Sequence, residues 1–252
     1  MAAQAATGMA FPGVYRDVGF ALDAWQVNDP VTAFVATPIA VASWALAWSG
    51  SLRAQMVLLG TMQYALYTYA FYLFGAALNA HFVLYVAAAV AAAWALIVGL
   101  SALDAATVGR TGSWRVPPSL PARPLAGYLA FWGGVLGVAW VGQALGFAAT
   151  GEEPALGGEA FRLIAALDLT LVVAPAAVAA VWLWRRRVWG ANLAVVLHVK
   201  GAIYALLLAI GSALGGPLAQ GGGDGMLALW AGFAVGSSAS LVVLLKGVRA
   251  PR

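Results

Sequence analysis

Residues 82–103 run for 22 positions without a charged side chain, and six further stretches are apolar with at most two charges each. A helix apolar on every side has no face to turn to water. About 20 such residues match the ~30 Å hydrocarbon core of a bilayer. Inside that core each backbone N–H and C=O must bond within its own segment or in a closed barrel. The runs are continuous rather than alternating, which selects helix over barrel strand. The expected fold class is therefore all-α, a polytopic transmembrane bundle in one integral membrane domain spanning residues 1–252. The expected spans lie near 31–48, 54–77, 82–103, 124–149, 161–184, 191–214 and 225–246. Composition agrees: 63% of the chain is apolar and 9% charged, against about 45–50% and 25% in soluble domains. That balance excludes a water-soluble fold, and the aromatic content excludes a disordered chain.

Charge sets the expected orientation, because basic residues stay on the cytoplasmic side. With the amino terminus outside, the inner segments carry Arg53, Arg110, Arg115, Arg123, Arg185, Arg186, Arg187, Lys246, Arg249 and Arg252 against Asp104 alone. The outer segments carry Arg16 and Arg162 against Asp17, Asp23, Asp29, Glu152, Glu153, Glu159 and Asp224. Seven spans, amino terminus out and carboxy terminus cytoplasmic, follow, with the cell membrane as location. The net charge of +4 is thereby explained by topology, so no nucleic-acid partner is expected. Residues 1–8 hold no basic segment followed by an apolar core, so no cleavable signal peptide is expected. Residues 1–30 read as an outer tail. Within it Phe20, Leu22 and Trp25 are placed either on the membrane face of a short interfacial helix or in an irregular segment.

Packing between membrane helices favours small residues. Gly133 and Gly137, and Gly232 and Gly236, carry the four-residue spacing that lets backbones approach. They read as contacts within the bundle, with a homo-oligomer interface as the alternative. Trp48, Trp114, Trp184 and Trp189 read as anchors at the cytoplasmic interface. Trp132 and Trp140 lie deeper, where core packing is the simpler account and a cavity wall the other.

Two ionisable residues remain inside spans, Asp168 and Lys200, and such groups are costly enough to be functional candidates. Matching helix midpoints sets them about 10 Å apart in depth at 1.5 Å per residue. A direct ion pair is therefore not expected, and a hydrated link or one bridged by Tyr204 is. Pro175 cannot donate to the Leu171 carbonyl, which gives Lys200 a second candidate partner. The second span adds Gln63, Tyr64, Tyr67, Thr68, Tyr69 and Tyr72; Tyr64, Thr68 and Tyr72 share one face. They read either as an internal polar network or as the wall of a wet cavity. His198 is expected beside Lys200 on a roughly opposite face. His81 lies some 20 Å from it by helix rise, too far for a shared haem.

No cysteine is present, which removes disulfides, thiolate zinc and iron–sulfur sites. No catalytic constellation, metal set or phosphate loop can be assembled, so neither an enzyme nor a bound cofactor is expected. The run from Gly60 to Val86, together with Pro12-Gly-Val-Tyr-Arg-Asp, Leu183-Trp-Arg-Arg-Arg-Val-Trp-Gly and Val199-Lys-Gly, resembles a group of uncharacterised prokaryotic multi-pass membrane proteins. The likeness runs from Pro12 to about Ile210. Members often carry a further apolar helix ahead of the Pro-Gly-x-Tyr-Arg-Asp segment, and the resemblance implies no activity.

Three functions fit these residues. The favoured one is binding or translocation of a small solute or proton through a cavity between spans two, five and six. Asp168, Lys200, Tyr204, His198, Gln63, Tyr64, Thr68 and Tyr72 would form its path. The second is a scaffold or accessory subunit of a larger membrane complex, its buried charges tying helices together. The third is a retinal-binding seven-helix photoreceptor with Lys200 as the Schiff-base amine. The estimated offset of Asp168 opposes the third, so a colourless protein is expected.

Overall fold

The computed structural model describes residues 1–104, 116–214 and 223–247. Arg110, Trp114, Arg115, Arg249, Arg252 and the Asp224 side chain lie outside what is described. Among the described residues the chain is all helical, with no strand. Its α-helices are α1 (Ala2–Ala10), α2 (Phe20–Val31), α3 (Thr37–Trp48), α4 (Leu52–Gly75), α5 (Phe82–Asp104), α6 (Ala122–Thr150), α7 (Gly158–Asp168), α8 (Ala174–Trp184), α9 (Val188–Ala213) and α10 (Gly223–Gly247). Two π-helical segments, Thr32–Ala36 and Leu169–Val173, join α2 to α3 and α7 to α8 without a break.

The π segments have an identifiable cause. Pro38 and Pro175 each follow one closely, and each cannot donate to the carbonyl four residues back. Those carbonyls belong to Phe34 and Leu171, the central residues of the two segments. A widened turn absorbs the mismatch and keeps the helix running. The first long helix consequently begins at Phe20, not near 31, and the stretch Ala21–Trp48 is long and apolar enough to cross a bilayer. Trp25, assigned above to the membrane face of an interfacial helix, is fully buried and packs on Phe71 and Tyr72 at 4.9 and 4.3 Å.

Five further helices meet the same length and apolarity: Phe82–Asp104, Ala122–Thr150, Gly158–Trp184, Val188–Ala213 and Gly225–Gly247. The chain is thus a multi-pass integral membrane protein, with six long apolar helices among its described residues. The other long helix, α4, has 24 residues but carries Gln63 and five polar-tipped side chains from Tyr64 to Tyr72. It packs against α3, α5, α7 and α9, and its polar side chains also meet α2 and the π segment after α7. α9 packs against α4, α8 and α10. It is the most buried helix, with 61% of its most apolar stretch inside the protein against 11–33% for the other five.

Small residues set the close approaches. A Cβ on Gly60 of α4 would lie 2.5 Å from the Val199 Cβ and 2.8 Å from the Val196 carbonyl oxygen of α9. On α6, Gly133 and Gly137 face Ala176 and Val173 at 3.1 and 3.0 Å from such a Cβ, a contact within the bundle. At one end of the bundle, Trp48 and Trp184 are exposed. There Arg123 lies 5.7 Å over the Trp184 ring, and Trp189 donates to Asp104 at 2.8 Å.

Candidate functional site

Helix periodicity splits the polar side chains of α4 between two faces. Gln63 and Tyr67, four residues apart, turn toward the π segment after α7. Tyr64, Thr68 and Tyr72, also spaced by four, turn toward α2. The single path drawn in the sequence through Gln63, Tyr64, Thr68 and Tyr72 therefore separates into two networks, and Tyr67, which that path left out, joins the first.

The first network centres on Asp168, which is 5% exposed. Its Oδ1 accepts from the Tyr67 hydroxyl at 2.8 Å, and its Oδ2 accepts from the Trp140 indole N–H at 2.8 Å. Lys200, 4% exposed, holds its Nζ 4.0 Å from the Tyr67 ring centroid and 4.2 Å from that of Tyr204. The two rings meet edge-on, 4.9 Å apart. Among the described residues no carboxylate lies within ion-pair distance of the ammonium. Tyr67 is the bridge, its ring toward the cation and its hydroxyl toward the carboxylate; Tyr204 sets its ring against the cation. The Leu171 carbonyl freed by Pro175 is taken by Gln63 Nε2 at 2.8 Å, not by Lys200.

Lys200 and Asp168 line one cavity of about 290 Å³, together with Trp132, Leu136, Trp140, Val172, Tyr204, Trp230, Phe233 and Ser237 among others. It lies between α6, the α7–α8 helix, α9 and α10, which corrects the placement between spans two, five and six. Trp132 and Trp140 belong to its wall rather than to plain core. Tyr64, Thr68 and Tyr72 do not line it. His198, fully buried, points elsewhere: its ring stacks on Tyr128 at 5.7 Å, and neither ring nitrogen has a hydrogen-bond partner among the described residues. No group of three His, Cys, Asp or Glu that could hold a metal ion occurs among the described residues.

The second network was not legible in advance. Asp29, counted above with the outer acidic segments, is 1% exposed and sits in the helix that continues into the first span. Its Oδ1 accepts from Gln4 Nε2 at 3.1 Å and from the Tyr72 hydroxyl at 2.8 Å. Its Oδ2 accepts from the Tyr15 hydroxyl, and Tyr69 donates to Gln4 Oε1 at 3.0 Å. Gly8 of α1 packs directly over the carboxylate, so that any Cβ there would overlap Asp29 and the Tyr15 hydroxyl. Burial, and then the adjacent carboxylate, raise the Tyr15 phenol well above its ordinary value, which keeps it a donor. On the same face of α4, the Tyr64 oxygen lies 2.8 Å from Thr32 Oγ1 and donates to Asn28 Oδ1 at 3.2 Å; Thr68 is buried between Tyr64 and Tyr72. His81 lies near this cluster, its Nε2 2.9 Å from Thr7 Oγ1. The available signal was the apolar pattern Phe20, Leu22, Trp25, Val27, which already runs at helical spacing toward Val31. Pro30 read as a boundary, although membrane helices tolerate proline where neighbours satisfy the freed carbonyl.

Comparison with protein-family models, curated proteins and solved structures finds no match to this chain, so its functional reading rests on the geometry above.

Proposed function

We propose that the chain is a seven-span cell-membrane protein, amino terminus outside, that binds a small amphipathic solute in the cavity between α6, α7–α8, α9 and α10. In this reading α4 is the seventh span. Its 24 residues reach about 36 Å at 1.5 Å per residue, and its polar side chains turn toward other helices. The basic excess at one set of helix ends supports the orientation. A reporter fused after Arg252 is expected to be active only in the cytoplasm and one at Gly157 only outside. The reverse pattern refutes the topology.

One observation carries the binding reading. Lys200 presents a buried ammonium to an otherwise largely apolar cavity, with two aromatic faces against it and, among the described residues, no carboxylate within ion-pair distance. A buried charge without a hydrogen-bonding partner is costly, and a solute oxygen in the cavity supplies what is missing. Asp168, already fixed by two donors, offers the opposite charge on the same wall. A solute with an apolar body and one polar end fits this lining. Its movement across the membrane requires the cavity to open to both sides in turn.

The test is Lys200→Met. A binding lysine leaves the variant folded but without the thermal stabilisation that a bound solute confers on the unmodified protein. The helix-tie role of a scaffold subunit is favoured by the completed hydrogen bonding of Asp168. In that case the variant changes detergent stability alone, even upward, since a packed apolar group can replace a buried charge.

A further inference from the structure

The chain has 13 basic residues, and only two are lysines, Lys200 and Lys246. All the other basic positions, including the run Arg185 to Arg187, carry guanidinium. The one basic side chain buried at mid-helix is therefore a primary amine in a chain that otherwise uses arginine. The difference is chemical. A guanidinium stays protonated in proteins and recognises anions by its planar fork, whereas a lysine amine adds to carbonyl carbon. A site built only to attract an anion gains more from arginine.

The surroundings suit the amine to that chemistry. Lys200 Nζ stands against the faces of Tyr67 and Tyr204 rather than against a carboxylate, so no ion pair has to be broken before it reacts. It borders the 290 Å³ cavity whose wall includes Trp132, Trp140, Trp230 and Phe233. Asp168 lies on the same wall, oriented by Tyr67 and Trp140 through one oxygen each.

We propose that Lys200 is a covalent anchor for an apolar aldehyde, which it holds as an imine with Asp168 as counterion. The inference rests on the solute-binding reading above and names the solute's class. The amine lone pair adds to the carbonyl carbon, forming the C–N bond and a carbinolamine whose oxygen takes a proton. Loss of that hydroxyl as water breaks the C–O bond and forms C=N. The sum is aldehyde, amine and one proton giving iminium and water, with no oxidant or reductant required. The iminium is again a cation, so the Tyr67 and Tyr204 faces that hold the ammonium also hold the product. Asp168, linked to that site through Tyr67 rather than in direct contact, is the carboxylate on the same cavity wall that favours the protonated imine.

The test uses the purified full-length protein in detergent with two matched pairs of probes, retinal with retinol and cinnamaldehyde with cinnamyl alcohol. Each sample is treated with cyanoborohydride and mapped by mass spectrometry. The expected result is a reduced adduct on Lys200 and not on exposed Lys246, from at least one aldehyde and neither alcohol. With retinal, a visible band that hydroxylamine bleaches accompanies it. Lys200→Arg loses the adduct. Asp168→Asn, which keeps the amine, moves the retinal band toward that of an unprotonated imine, and it serves as the second readout if the arginine variant does not fold. Thermal stabilisation by aldehyde and alcohol alike, without an adduct on Lys200, overturns the covalent anchor and leaves the binding reading standing. Equal labelling of both lysines also overturns it. Neither adduct nor stabilisation with any of the four probes overturns both.

Discussion

Tyr67 performs two separable tasks, and two substitutions divide them. Tyr67→Phe removes the hydroxyl that donates to Asp168 Oδ1 at 2.8 Å and keeps the ring 4.0 Å from Lys200 Nζ. Hydrogen bonds to charged groups contribute about 1.5–3 kcal/mol in soluble proteins, but interhelical bonds in membrane bundles average only about 0.6 kcal/mol and reach about 1.7. The upper end applies here. Tyr67 is 1% exposed, and Oδ1 has no second donor among the described residues. The expected cost is about 1.5 kcal/mol, or roughly 3–6 °C in Tm for a chain of this size. Tyr67→Leu loses the hydroxyl and also the cation–π contact, for a further ~1–2 kcal/mol. A double-mutant cycle with Asp168→Asn, read by thermal or denaturant unfolding in one detergent, isolates the hydroxyl. In the Asp168→Asn background Tyr67→Phe should cost about 0.5–1 kcal/mol, the value of a neutral bond. If Tyr67→Phe is silent in both backgrounds while Tyr67→Leu is not, the Asp168 bond does not organise the site and the bridge is refuted.

Two further outcomes concern the amino-terminal network. Gly8→Val should cost about 1–3 kcal/mol, typical of overpacking, and should make residues 1–14 protease-sensitive while the helices behind them stay resistant; an unchanged cleavage pattern would sink the docking of α1. The raised Tyr15 phenol gives an alkaline dependence. Folding holds its proton more tightly than the unfolded chain does, so its contribution is fully present below the ordinary pKa of 10.0 and is lost as pH rises above it. The slope approaches about 1.4 kcal/mol per pH unit for this one group only well above pH 10, so between pH 9 and 11 Tyr15→Phe should lose about 1.4 kcal/mol less stability in total than the unmodified protein.

The reach of the sequence differed from residue to residue for physical reasons. Lys200 and Asp168 could be found because a charge inside an apolar run stands out whatever surrounds it. Their lack of a direct pair also followed, since it depends on helix rise alone. The bridging residue did not, because Tyr67 and Tyr204 are equivalent until α4 and α9 are docked. The face shared by Tyr64, Thr68 and Tyr72 was legible from spacing, but which helix that face meets is set by the Gly60 contact with Val196 and Val199. Asp29 was hidden by its own neighbours: Asn28, Asp29 and Pro30 together have the composition of a loop. Only the three donors from Gln4, Tyr15 and Tyr72, two of them distant in sequence, make that carboxylate tolerable inside a helix bundle.

On the proposed seven-span reading, the polarity of α4 bears on how the chain enters its membrane. A segment passing from the translocation machinery into lipid is judged first on its own hydrophobicity, and α4 is the long helix that falls short of the others. Its tyrosines are shielded only once α2, α5, α7 and α9 stand around it, and α9 is made more than a hundred residues later. The early shield is α5, tied to α4 by the short connection 76–81, so the two should enter as a hairpin with the Ala-rich α5 drawing its partner in. A charge placed on α5 would then appear as a failure to insert α4. Such a failure would reverse the side on which every later loop emerges.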